Sequence, residues 1–299
     1  MSSYKNFSQK DAIKKNWLDK NTSSKYSYDP IREEKIDYDE WAKFLSYYRY
    51  YMDEFAADIL GLNLFPFQKL ILRAMARYPN TMLICCRGLG KSYLCAVFMI
   101  CYAILYPGVA LGIVSGNGNQ ARMVIKQKIE GELYKGENIK REIEAIKTAS
   151  DDCIVKFKNG SSIRAISLGM SQRGDSARGW RFQLVLVDEA RLVKDSTLTE
   201  VVRPMIKTPR KNAVDLHKRY PEFPLEKSKM LYISSAWLKT CDLYQRFLAF
   251  YTSMIKGNPN FFVASLDYKV GIDAGLFSQE DIDLEKESPD MTLDKFAYE

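Results

Sequence analysis

Apolar and polar positions along the chain change period repeatedly, and each change marks a predicted element. From Tyr38 to Leu60, Trp41, Phe44, Leu45, Tyr48, Met52, Phe55 and Ile59 recur at three- and four-residue steps, the spacing of one helix face. Gly61 to Phe65 interrupts that rhythm, and Pro66 opens a second helix with Gln68 in its first turn. Met82 to Cys86 is a continuous apolar run of strand length, and Tyr93 to Leu105 is a longer one that suits a helix packed on a sheet. Val109 to Ser115 predicts a strand, Asn117-Gly118-Asn119 a turn, Gln120 to Glu132 a helix and Lys135 to Lys147 a charged, exposed helix. Cys153 to Phe157 and Ser161 to Ile166 flank Asn159-Gly160, a hairpin signal. Leu184 to Val187, Lys229 to Ser234 and Phe261 to Leu266 predict strands, and Ser196 to Lys207 and Asp242 to Thr252 helices. Strands alternating with helices predict an α/β fold with a mostly parallel central sheet and helices on both faces.

Length and composition sharpen this outline. A chain of 299 residues, 46% hydrophobic, holds one large α/β domain with room for an appendage. Residues 1–30 read as a polar, loosely held arm with a short helix around Asp11 to Leu18, so 1–60 forms an arm and a helix, 61–266 the sheet domain and 267–299 an acidic C-terminal segment. That segment contains two short predicted helices, Ser278 to Lys286 and Thr292 to Tyr298. Between Arg203 and Lys229 eight bases meet three acids, with prolines at 204, 209, 221 and 224, which reads as a small lid with a basic face. The net charge is +7, but 267–299 carries −7, leaving +14 on residues 1–266, a balance that suits a polyanionic partner. The N-terminus lacks the apolar core of a signal peptide, and the best membrane candidate, Tyr93 to Val114, is broken by Pro107-Gly108. The six cysteines form no C-x-x-C pair and His217 is the single histidine, so reduced thiols in a cytosol-like compartment are expected rather than a zinc site.

Two stretches carry candidate chemistry. Cys86-Arg87-Gly88-Leu89-Gly90-Lys91-Ser92-Tyr93 stands between the first strand and its helix, where glycines let backbone N–H groups turn inward and the helix start adds partial positive charge. Lys91 would reach β- and γ-phosphates and Ser92 would ligate Mg²⁺. Cys85 takes the place of the first glycine of the usual pattern. About a hundred residues on, Leu184-Val-Leu-Val-Asp188-Glu189 is a buried strand delivering two carboxylates at its tip, Asp188 for Mg²⁺ and Glu189 for the attacking water. Gln68, just upstream of the loop, could bond the edge of an adenine. Ser234-Ser235-Ala236, at another strand tip, could sense the γ-phosphate.

The order of these motifs, from about Phe65 to Phe250, resembles the ATPase domain of tailed-phage and herpesvirus terminase large subunits, the motors that pump DNA into procapsids. The resemblance rests on Phe67-Gln68, Cys86 to Ser92 with its arginine, Arg178-Gly179 ahead of Leu184 to Glu189, and Ser234 to Ala236 followed by Leu243-Tyr244. It implies a P-loop NTPase fold (ASCE, RecA-like), with ATP and Mg²⁺ as cofactors. It places Gln68 on adenine, residues 87–93 around the nucleotide, Ser92 and Asp188 on the metal, Glu189 as catalytic carboxylate and Ser234, Ser235 and Ala236 as a coupling motif. Arg87 matches an arginine acting in cis in some members, and Arg178 lies where others place a finger in the neighbouring subunit's site; the sequence does not choose between them. Double-stranded DNA, a homo-oligomeric ring (a pentamer by resemblance), a portal protein and a small terminase subunit are the implied partners, with no membrane, in the host cytoplasm and outside the mature virion. No nuclease domain is expected after the sheet, and hence no endonuclease activity.

Two other readings compete. A DEAD-like helicase is suggested by Asp188-Glu-Ala-Arg191 and Ser234-Ser235-Ala236, but its arginine-rich motif would have to follow the serines, whereas Gln172 to Arg178 precedes them. A nucleotide-dependent assembly module without motor work would bind nucleotide without DNA-stimulated hydrolysis.

Overall fold

Eight strands form one sheet: β1 Asn80–Cys85, β2 Ala110–Ser115, β3 Ile143–Thr148, β4 Cys153–Phe157, β5 Ser162–Ser167, β6 Leu184–Asp188, β7 Lys229–Ser234 and β8 Phe261–Leu266, in the order β3-β4-β5-β2-β6-β7-β1-β8. The computed structural model describes residues 38–149, 152–168, 179–222, 225–236 and 239–289. β4 runs antiparallel to β3 and β5; every other pair is parallel. The apolar runs explain the centre: every residue of β6 and β7 is buried, as befits parallel strands covered on both faces.

The period of two assigns side chains to the two layers. Leu184, Leu186, Leu231 and Ile233 face the layer built by α1 Tyr38–Tyr50, α2 Pro66–Arg77, α3 Lys91–Leu105 and α4 Gly118–Met123, which runs on through wider turns over Val124–Glu130. Val185, Val187, Met230 and Tyr232 face the other layer, made by residues 198–205 and, later in the chain, the helix Asp242–Ile255. α3 is the most apolar helix, buried continuously from Leu94 to Ala103, because it lies wholly beneath other elements. Pro66 starts α2 as expected.

Two expectations change. The stripe from Tyr38 is not one helix: α1 ends at Tyr50, and Met52–Glu54 with wider turns over Phe55–Ile59 carries the same stripe inward. The helix expected over Lys135 to Lys147 is helical only at Glu137–Glu142, and Ile143–Thr148 is β3. β3 is an edge strand with exposed Glu144 and Lys147, and such protective charges imitate a solvated helix in sequence.

The basic stretch 203–229 contains α5 Lys211–Arg219 and packs at the N-terminal ends of β2 and β6, where Arg210 donates to the Pro107 carbonyl (2.8 Å) and Gln183 to the Thr208 carbonyl (3.0 Å). The lid expected there therefore sits at the opposite end of the strands from the loop that joins β1 to α3. The helix Asp242–Ile255 is α6, and α7 is Gln279–Glu287. The predicted helices Asp11 to Leu18 and Thr292 to Tyr298 lie outside the described residues. Among the described residues no helix is long and apolar enough to cross a membrane.

Candidate functional site

β1 delivers its loop at the C-terminal edge of the sheet, where open α/β sheets bind ligands. Gly88 and Gly90 have φ of 82° and 71°, left-handed values that a side chain resists, and Lys91 opens α3 immediately after them. The second glycine also makes room: a Cβ on Gly90 would stand 3.2 Å from Nε2 of Gln68.

The strand order sets the rest of the site. β7 lies between β1 and β6, so its tip, Ser234-Ser235, stands between the phosphate loop and the Asp188-Glu189 pair. Both serines are fully buried and neither hydroxyl has a hydrogen-bond partner. Such orphaned groups are costly unless something polar completes them. Asp188 is buried, and its carboxyl is pushed up to about 6, first by burial and then by the neighbouring Glu189 charge; the Glu189 backbone bond and Lys91 pull the other way. Glu189 has φ of 48°, the one non-glycine residue with positive φ among those described. Holding an L-residue there costs on the order of 1 kcal/mol, a strain that aims the carboxylate away from the path of β6. Its Oε2 accepts from Nε of Arg191 at 3.1 Å.

These residues fit a divalent cation. A buried carboxylate that its surroundings push towards the neutral form, on the strand beside unpartnered serines, is what Mg²⁺ with a phosphate ligand would satisfy. No cluster of three or more His, Cys, Asp or Glu side chains able to hold a metal occurs among the described residues.

On the α2 side of the loop lies a cavity of about 510 Å³ lined by Phe65, Gln68, Gly88, Leu89, Gly90 and Tyr93, the size and position for a nucleoside. Gln68 is buried, and its Oε1 accepts from the Phe65 N–H at 3.1 Å, the reciprocal half of a capping box. The glutamine thus braces the start of α2 against Gly90, and its amide N–H groups remain the part that could meet a base. Sequence reading missed Asn63 and the Lys128–Glu132 ion pair (2.5 Å) on this rim. The pair comes from a helix whose register no local motif announces.

On the other side Arg87 lines a larger cavity, about 800 Å³, with Ala236 and with Asp267, Phe277, Asp281 and Glu285 of the C-terminal segment. The phenyl ring of Phe277 lies so close over the loop that a Cβ on Gly88 would meet it at 2.7 Å. It also covers Gly271, where a Cβ would come within 2.2 Å. This contact was invisible in the sequence, where 267–299 looked like a tail. Arg178, the alternative finger, lies outside the described residues, so Arg87 and Arg178 remain undecided.

Comparisons with known proteins bear on the fold. Residues 82–216 match the family model described as terminase large subunit, T4likevirus-type, N-terminal. The large terminase ATPase domain of Thermus phage P74-26 superposes with a TM-score of 0.55 at 18% identity, over 82% of this chain and 95% of that one. The large terminase of bacteriophage HK97 superposes with a TM-score of 0.54 at 14% identity, over 76% of this chain and 47% of that one. The chain thus spans about half the length of the HK97 protein it matches. No curated protein sequence matches it. The match to terminase large subunits thus covers residues 82–216, and the fold as a whole is that of the compared ATPase domains.

Proposed function

We propose that this chain hydrolyses ATP and uses the cycle to drive double-stranded DNA into a viral procapsid. The observation that carries the reading is the pair of unpartnered, buried serine hydroxyls standing between a phosphate loop and two strand-tip carboxylates. When bound by Ser92 and, through water, by Asp188, Mg²⁺ would neutralise charge on the transferring phosphate. Lys91 and the loop amides hold the β- and γ-phosphates, and Glu189, fixed by its backbone and by Arg191, orients the attacking water. The base occupies the cavity beside Gln68, Phe65 and Tyr93. One arginine, Arg87 or Arg178, meets the charge that develops on the phosphate. Loss of the γ-phosphate frees the Ser234–Ala236 tip, and the resulting movement shifts a basic surface along DNA phosphates. Such contacts make binding steeply salt dependent and indifferent to sequence. The working form is a homo-oligomeric ring on a portal protein, assisted by a small terminase subunit, in the host cytoplasm.

The test is steady-state phosphate release by the purified chain with Mg²⁺-ATP, alone, with duplex DNA and with procapsids. Hydrolysis raised by DNA is expected. Tight nucleotide binding with no turnover under any of the three conditions would remove the motor reading and favour an assembly module.

A further inference from the structure

Two surfaces of opposite charge lie at opposite ends of the sheet. At the N-terminal ends of β2 and β6, α5 and its flanks expose Leu216 (48%), Tyr220 (50%) and Leu225 (40%) among exposed Lys207, Lys211, Lys218 and Arg219. At the C-terminal ends of β1 and β8, α7 buries Ile282 and exposes Leu284 (63%). Glu280, Asp283, Leu284 and Glu287 stand at i, i+3, i+4 and i+7, one outward face of the helix, with Asp283 also paired to Lys286 at 3.6 Å. Each surface has an apolar centre and a charged rim, the anatomy of a protein–protein contact, and the rims are opposite in sign.

The two faces cannot meet within one chain. β1 and β2 each contain six residues, about 20 Å of extended backbone, and the faces stand at its two ends. We propose that the α5 face of one copy docks on the α7 face of the next, a head-to-tail contact that generates rings or filaments depending on its rotation. The occupant of each face is then a second copy of this chain. The contact gives the assembly proposed above its mating surfaces. It also sets one copy's basic rim beside the next copy's phosphate loop, because Phe277, one residue before the cap of α7, lies on Gly88.

Sedimentation equilibrium of the intact chain, without nucleotide or DNA, tests the contact separately from hydrolysis. The wild type should self-associate, with affinity falling steeply between about 50 and about 500 mM salt. Glu280→Lys with Glu287→Lys should weaken association at least about tenfold, and so should Lys218→Glu with Arg219→Glu, since each sets like charges together. All four changes in one chain restore opposite rims and should bring the dissociation constant back to within about threefold of wild type. Binding of a fluorescent ATP analogue by each variant shows that it is folded. A wild type that stays monomeric at low salt overturns the proposal, as does a four-site variant no better than its parents. If Lys218→Glu with Arg219→Glu abolishes duplex binding but leaves association intact, the α5 face belongs to nucleic acid and the proposal fails.

Discussion

The two ends of β7 treat buried polar groups in opposite ways. At its first residue, Lys229 is buried and its ammonium donates to the carbonyls of Met75 (3.1 Å) and Tyr78 (3.0 Å). Close by, Arg210 is buried and holds Glu226 through two contacts of 2.5 and 3.0 Å. At the last residue of the strand, Ser234 and its neighbour Ser235 are equally buried and their hydroxyls have no partner, beside a carboxylate that burial has pushed up and a glutamate in left-handed backbone. One sequence element therefore ends in a completed network and in an uncompleted one. On the function proposed above a ligand completes the serines at the C-terminal edge, and Thr81, unpartnered near the other end of β1, is the case against which that reading is tested.

Substitutions at both ends can break that contrast, and Glu189→Gln has the largest expected effect. The amide keeps the shape of the side chain and can still accept from Arg191, so nucleotide affinity and melting temperature should stay near wild type. It cannot draw a proton from water, so turnover should fall by about 10²–10⁴. Single-turnover hydrolysis with a parallel nucleotide titration measures both. Normal turnover would place the catalytic carboxylate elsewhere.

Arg210→Ala attacks the completed end. It strands a partly buried Glu226 and unbonds the Pro107 carbonyl, and should cost about 2–4 kcal/mol of stability by urea denaturation. Because Arg210 lies a full strand length from the loop, KM for ATP should not move. A change in KM with unaltered stability would make this edge part of the site.

How much of this was legible in the sequence follows the same division. Strands β7 and β8 were readable to the residue, β7 because a buried parallel strand is a nearly uninterrupted apolar run, and β8, a half-buried edge strand, because its apolar run is just as short and bounded by polar residues. That Lys91 and Ser92 open a helix after β1 and that Asp188 ends β6 was readable, because in each case an apolar run stops at polar residues. What escaped was anything decided by tertiary placement. β3 hid as a charged helix because an edge strand wears its charges on display. The side of the sheet chosen by 203–229 depends on a buried Arg210–Glu226 pair, sixteen residues apart and without local signal. Phe277 over Gly88 joins residues almost two hundred apart, and a lone phenylalanine in an acidic stretch announces no such contact.

A smaller effect sharpens the comparison through pH. Burial pulls the Lys229 ammonium down from 10.5 to about 7. Between those values the unfolded chain binds a proton that the native chain does not, so stability rises as pH rises through that window. The cost of burying the charge is fully present below about 7 and gone above 10.5. Lys229→Met lacks this dependence. The difference between wild type and variant in denaturation free energy should therefore shift in favour of wild type by up to about 1.4 kcal/mol per pH unit from pH 7 to 9. A difference that stays flat would mean that the two carbonyls keep Lys229 charged throughout, and that the network at this end is more complete than the burial alone suggests.

The smallest change in stability, and the one that separates orphaned groups by function, comes from removing the hydroxyls themselves. Ser234→Ala and Ser235→Ala each delete a buried oxygen without a partner, so the ligand-free protein should hold its stability or gain up to about 1 kcal/mol. If the hydroxyls act on phosphate as it leaves, kcat should fall while KM changes little, the mark of a contact made mainly in the transition state. Thr81 supplies the control. Its Oγ1 is also buried without a partner, but it sits on the second residue of β1, at the end far from the loop. Thr81→Val should match the serine variants in stability and leave kcat untouched. Equal losses of kcat in all three would mean that buried hydroxyls hold the sheet in shape wherever they lie, and the uncompleted end of β7 would lose its claim to be waiting for phosphate.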